Sequence, residues 1–372
     1  MIVPVVLGFY FLVCISVILF NCWKVLSEAL IRRKLVRRKR NFLVWFWCNG
    51  ARCASFSPEE QEKMARRLAR KLRTVGRLAA FQRAMDEAEQ ESPAIFAESL
   101  PLLARAVREA LPFYEGRADT RQAYYSYLVT RFHAMKYAPG EPLTAFLMEQ
   151  IRQARSLYNL ENALRAVYSS GQVPLVLEAL RAVDGADGVF IHEKLLIDGL
   201  LTFEDRDALI AALWERFPQY GVEMRELLLD YIRFASGGWK EPMLELLGTT
   251  QELEIQIACL RYFGKYPDER VRPLLYDRSR DPDGPQWELC AVCMTVLASY
   301  PGGETVQLLK QGLRSRNWYV RYNAALSLRG LNVDAETVRD VLDGDDRYAR
   351  EMLQYRLGLG AQAVPEEEAV PV

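Results

Sequence analysis

The stretch Asn317-Trp-Tyr-Val-Arg-Tyr-Asn-Ala-Ala-Leu-Ser-Leu-Arg-Gly-Leu331 decides the fold. With Arg321 as position zero, similar segments centre on Glu161, Lys194, Arg225, Gln256, Cys290 and Arg350, and the successive spacings are 33, 31, 31, 34, 31 and 29 residues. A fixed period of that size is the mark of a repeat architecture.

Columns test the register. Three residues after zero the series reads Leu164, Ile197, Leu228, Cys259, Cys293, Ala324 and Leu353, and seven after it Tyr168, Leu201, Ile232, Phe263, Leu297, Leu328 and Leu357. The column one residue before zero (Leu160, Glu193, Met224, Ile255, Leu289, Val320, Ala349) is apolar except at Glu193. Offsets of −1, +3 and +7 lie on one helical stripe, so each unit presents the same face for burial. Shorter second helices are expected over Val173–Val183, Asp205–Phe217, Lys240–Gly248, Glu269–Asp277, Glu304–Arg314 and Ala335–Leu342. Turn signals at Pro139-Gly140, Gly171, Gly237-Gly238, Pro282 to Pro285 and Gly302-Gly303 separate helix from helix, and no alternating strand pattern occurs. Two helices per unit of about 31 residues predict an all-α chain folded as an α-solenoid.

Val320-Arg321, then Ala324-Ala325 and Leu328, with other units ending Tyr266-Pro267 and Tyr300-Pro301, resemble the bacterial HEAT repeats, above all the short variety known from phycobilisome lyases. The resemblance spans roughly residues 155 to 360 and is most specific at Asn317 to Leu331; Gln256 and Cys290 stand where the pattern has Arg. It implies a right-handed superhelix of helix pairs whose concave face binds another protein. Residues 159–359 are assigned to these HEAT-like repeats. Residues 92–158, with Ile95 to Leu111 as a helix that Pro101 kinks or splits and a tyrosine-rich segment Asp119 to Tyr137, are read as divergent helix pairs capping the array. The polar tail 360–372 with Pro365-Glu-Glu-Glu368 is expected to be disordered.

At the other end, Ile2 to Trp23 is an uncharged apolar run of 22 residues. As a helix it measures roughly 33 Å, enough for a hydrocarbon core of about 30 Å. It lacks the charged leader and small-residue cleavage site of a secretory signal. Residues 1–23 are therefore expected to be a transmembrane helix. Lys24 and the run Arg32, Arg33, Lys34, Arg37, Arg38, Lys39 and Arg40 follow it, so the positive-inside rule puts the N-terminus outside and the repeats in the cytoplasm.

The formal net charge of zero hides two poles. Residues 1 to 83 hold 17 Lys/Arg against 4 Asp/Glu, a net of +13, which leaves −13 for residues 84 to 372. The first pole suits an anionic lipid surface. The second argues against a nucleic-acid partner, although a local basic groove is compatible with it. Seven cysteines without framework spacing fit a reducing compartment.

Residues 24–56 read as a basic and aromatic juxtamembrane segment, and Trp23 at the end of the apolar run, with Trp45 and Trp47, suits the headgroup level. Equally, the patch Asn41 to Cys48 can pack on the first cytoplasmic helix. Residues 57–91 are expected to form one basic amphipathic helix, opened by Pro58 and a Ser57/Glu60 capping box. Met64, Leu68, Leu72, Val75 and Ala79 share a stripe opposite Arg66, Arg70, Arg73 and Arg77. That basic face is either a lipid contact or a solvated surface.

Little in the chain points to catalysis. Cys290 and Cys293 have redox or zinc spacing but no second ligand pair, and they fall on repeat positions, where core packing is the plainer reading. His192-Glu193-Lys194 has no nucleophile beside it, and no P-loop, G-x-S-x-G or H-E-x-x-H pattern occurs. No cofactor, metal or catalytic residue is expected. Trp239, Trp287, Trp318, Tyr319 and Arg321 are the candidate partner contacts, because Trp, Tyr and Arg dominate interface hot spots. The expected function is a membrane-tethered, non-enzymatic adaptor for a protein partner, with an envelope or polysaccharide-export assembly as one setting. The alternatives are a lyase-like ligand-handling protein, or a HEAT-like nucleic-acid binder.

Overall fold

In the computed structural model, residues 2–185 and 192–357 are described, with side chains for all of these but 2–9, 13, 51 and 54. Among the described residues the protein is all-helical, with no strand. It divides into two compact units, Met1–Glu204 and Asp205–Val372. The expectation for residues 360–372 lies outside the described residues.

The first unit opens with α1 (Ile2–Asn49), a helix of 48 residues, about 72 Å long. It is long and apolar enough to cross a membrane. Tyr10, Phe11, Leu12, Ile18, Phe20 and Trp23 are all exposed, Trp23 at 70%. Such a continuous apolar surface is rare on a water-facing helix. The helix does not stop at residue 23 but runs through the basic cluster into the first unit, where Phe42 and Phe46 are buried. Phe42 meets Phe81, Phe81 meets Phe132, and Phe46 lies against Phe96.

Past a short 3-10 turn over Gly50–Ser55 come α2 (Pro58–Ala69), α3 (Val75–Glu91) and α4 (Pro93–Glu109). The capping box forms: Ser57 N–H donates to Glu60 Oε2 at 2.8 Å and Glu60 N–H to Ser57 Oγ at 3.3 Å. The single helix expected over residues 57–91 is two helices, broken at Arg70 to Thr74. The Tyr114 hydroxyl donates to the Leu72 carbonyl, and Leu72 is fully buried, so a tertiary bond and apolar burial take this turn out of the helix. Pro101, in contrast, sits within α4 without splitting it.

The remaining elements of this unit are α5 (Asp119–Arg131), α6 (Ala134–Tyr137), α7 (Glu141–Arg152), α8 (Leu157–Tyr168), α9 (Val173–Asp184) and α10 (Glu193–Leu200). His133, in the left-handed region at φ 50°, ends the tyrosine-rich helix early. Helices α5 and α7 both pack on α8. Thus the segment before residue 158 covers the first repeat-register helix.

The second unit holds α11 (Arg206–Arg216), α12 (Val222–Ala235), α13 (Lys240–Thr249), α14 (Leu253–Lys265), α15 (Arg272–Ser279), α16 (Trp287–Val296), α17 (Gly303–Gly312), α18 (Trp318–Gly330), α19 (Arg339–Leu342) and α20 (Arg347–Leu357). Helix α12 packs on α14, α14 on α16, α16 on α18 and α18 on α20, and each of these five helices also packs on the shorter helix before it. The +3 column is buried at every member from Leu164 to Leu353. The +7 column is buried except at Leu201 and Leu357, which are half-buried, and Glu193 is exposed, as its charge requires. Side chains also tie neighbours together: Asn323 Nδ2 donates to the Ala291 carbonyl at 2.8 Å and Ser327 Oγ to that of Met294 at 2.7 Å.

Candidate functional site

Aromatic residues gather at the starts of successive long helices in the second unit. Asn317 caps α18, its Oδ1 accepting from Tyr319 N–H at 2.8 Å, and so sets Trp318 and Tyr319 in the first turn. Trp318 remains 50% exposed and Tyr319 46%. The Tyr319 ring stacks on Trp287, the first residue of α16, with centroids 6.1 Å apart, and Trp318 stacks on Tyr322 at 4.8 Å. Tyr348, in the first turn of α20, is exposed and lies over the Arg321 guanidinium at 5.4 Å.

Four of the five expected contact residues therefore come together. Trp239 does not join them. It packs against Trp214 at 5.5 Å, and its backbone N–H donates to the Tyr262 hydroxyl at 2.9 Å. Arg321 also departs from expectation: its Nη1 donates to the Ser315 carbonyl at 3.0 Å, six residues upstream. Arg350 donates to Gly344 O at 2.8 Å and Gln256 to Thr250 O at 2.9 Å, which is the same bond from the same repeat position. At Gln256, Arg321 and Arg350 the position-zero side chain closes the loop in front of its helix, whereas Arg225 pairs with Glu252.

Tyr322 leads from the aromatic row into a groove of about 600 Å3 that crosses α12, α14, α16 and α18. Arg233, Arg261 and Lys265 line it on one side, and Val292, Val296 and Leu326 on the other. Sequence reasoning missed this groove because it followed only the buried columns. Arg261, Thr295 and Leu326 share offset +5, and Val292 and Asn323 share +2, so the exposed columns carried the signal.

Cys290 and Cys293 are both buried in α16. Burial pushes Cys290 up to about 12, and Cys293 higher still, which keeps both protonated and inert. His192 caps α10, with Nδ1 accepting from Lys194 N–H at 3.2 Å. Burial, then Lys136, lowers the His133 pKa. Among the described residues no group of three or more His, Cys, Asp or Glu is placed to hold a metal ion.

At the N-terminal end, Lys24, Arg32, Arg33, Lys34, Arg37 and Arg40 are exposed on α1. Lys39 is not: it is half-buried and ion-paired with Glu87 of α3, and Arg38 lies beside Gly76 of the same helix. Trp45 and Trp47 lie on the body, next to the buried Phe46, about 33 Å of helix beyond Trp23. That separation favours packing over a shared headgroup level.

No family model matches the chain, and no curated protein matches it.

Proposed function

We propose that this chain is a single-pass, membrane-anchored adaptor of HEAT-like helical hairpins, with its N-terminus outside and its body cytoplasmic, that holds a protein partner at the membrane face. One observation carries the reading. The helix with the exposed apolar stretch is the same helix that seats Phe42 and Phe46 in the core, so the apolar stretch and the first unit share one continuous helix.

The solenoid part of the reading rests on the buried repeat columns and on the packing of each long helix against the next from α12 to α20. Among the described short helices of the second unit, α15 and α17 also touch, over a smaller area. The groove and the aromatic row lie along the long-helix row, and in a stack of helix pairs one such row lines the surface that receives a partner. Orientation follows from the cations after Trp23, and Arg32, Arg33, Lys34, Arg37 and Arg40 face anionic headgroups. No catalytic step is assigned to the chain.

A photo-crosslinking residue at Leu326, in membranes of cells that make the full chain, tests this. The expected result is one crosslinked protein of defined mass, lost when Trp318 and Tyr322 are changed to Ala. Digestion of the body by protease added outside intact cells, or recovery of the chain in the soluble fraction, would overturn the reading.

A further inference from the structure

We propose that the groove across α12 to α18 takes an acidic, amphipathic segment of a partner protein; this rests on the adaptor reading and gives its partner a chemistry. The lining holds three cations and no carboxylate, in the part of the chain that carries a net charge of −13. Two of the cations have carboxylates behind them: Arg233 pairs with Asp230 at 2.9 Å and Arg261 with Glu226 at 3.8 Å.

The other cations are not compensated in this way. Lys265 Nζ donates to the Arg233 carbonyl at 3.1 Å and stands over the Phe234 ring at 5.5 Å, with no carboxylate paired to it among the described residues. The Arg356 guanidinium lies over Tyr322 at 4.2 Å, and its buried Nε has no acceptor among the described residues. The lining therefore includes one cation, Lys265, with no paired carboxylate, and a second, Arg356, stands against its Tyr322 wall, also without one among the described residues. Charge-assisted hydrogen bonds from such cations are about twice as strong as neutral ones.

The rest of the lining is more apolar than polar, with Thr295, Ser299 and Asn323 set among the apolar side chains. Val292 and Val296 are among the latter, Leu326 is exposed, and Phe234 and Trp318 flank the groove as exposed large rings. A phosphate backbone has nothing to bury there, and two of the cations already face carboxylates. A segment that carries both carboxylates and aliphatic side chains satisfies both features, gaining specificity from the charges and affinity from the burial.

The test uses the full chain in nanodiscs of zwitterionic lipid and four probes: a short peptide alternating Glu and Leu, its Lys-for-Glu counterpart, polyglutamate and a single-stranded oligonucleotide. The Glu/Leu peptide should bind about tenfold or more tighter than the other three. The variant Lys265→Glu/Arg356→Glu, at one exposed and one half-buried position, should reverse the preference to the Lys peptide with an unchanged circular dichroism spectrum. Leu326→Ser should weaken the Glu/Leu peptide alone. Equal binding of the two peptides, no binding of either, or tightest binding of the oligonucleotide overturns the proposal. The adaptor reading fails separately, through the crosslinking and topology experiment, so a captured partner together with a charge-blind groove sinks this inference only.

Discussion

Phe42 of α1 meets Phe81 of α3 edge to face, with ring centroids 5.4 Å apart and planes at 72°. The helix with the apolar N-terminal stretch is therefore a core element of the first unit and not a tether joined to it. Truncating either of its buried rings leaves a cavity between helices that cannot close. Phe42→Ala and Phe46→Ala should each cost about 3–5 kcal/mol, read as a lowered urea midpoint of the detergent-solubilised chain. A midpoint unchanged by both would mean that α1 does not dock. A deletion meant to release the body from the membrane has to end before Phe42 for the same reason.

The break between α2 and α3 hangs on a side chain far along the sequence. Tyr114 is buried, stacks on Tyr125 at 5.0 Å, and gives its hydroxyl proton to the Leu72 carbonyl. Tyr114→Phe keeps the ring and strands that carbonyl in an apolar setting, at a cost of about 1–3 kcal/mol. Amide exchange should speed up at Leu72 to Val75 more than elsewhere. Uniform exchange across the unit would remove the hydroxyl from this role.

That break also shows what the sequence could and could not reveal. The columns that contain Ala324, Leu353 and Leu328 were legible because a helix buries side chains at a fixed period and a repeat copies that period. The capping box at Ser57 and Glu60 was legible because it is local. The fate of Leu72 was not, since its carbonyl answers to Tyr114, 42 residues away. Run-through of α1 past Trp23 was hidden because a change from apolar to basic residues marks a membrane boundary without ending a helix. The groove needed three dimensions, as Arg233, Arg261 and Lys265 join Leu326 only when three or four helices stack.

Acid should loosen the second unit through one loop in particular. Asp268 accepts from the Arg270 side chain and backbone N–H, and these bonds hold its carboxyl down to about 2. The Arg270 guanidinium also holds the Glu241 carboxyl low. A carboxylate whose pKa is depressed in the fold adds stability that is complete above its ordinary value, near 3.9, and is lost as pH falls toward the folded value. The Tm should therefore fall between about pH 4 and pH 2. Asp268→Asn keeps an acceptor for the Arg270 N–H and should flatten the fall in that window. An equally steep decline in the variant would assign the acid sensitivity to other groups.

The position-zero bond supplies the sharpest test of the repeat geometry. Arg321 and Gln256 differ in charge and length, yet each donates to the carbonyl six residues before it. If the bond and not the charge is what the position requires, Arg321→Gln should leave the Tm of the chain nearly unchanged. Arg321→Leu, which fills similar space without a donor, should cost about 1–3 kcal/mol by leaving the part-buried Ser315 carbonyl unpaired. Cys290 occupies the same repeat position without a comparable donor and serves as the internal control: Cys290→Ala should cost only the lost packing of its sulfur. Equal losses for Arg321→Gln and Arg321→Leu would show that the guanidinium matters for its place over Tyr348 rather than for the loop it closes.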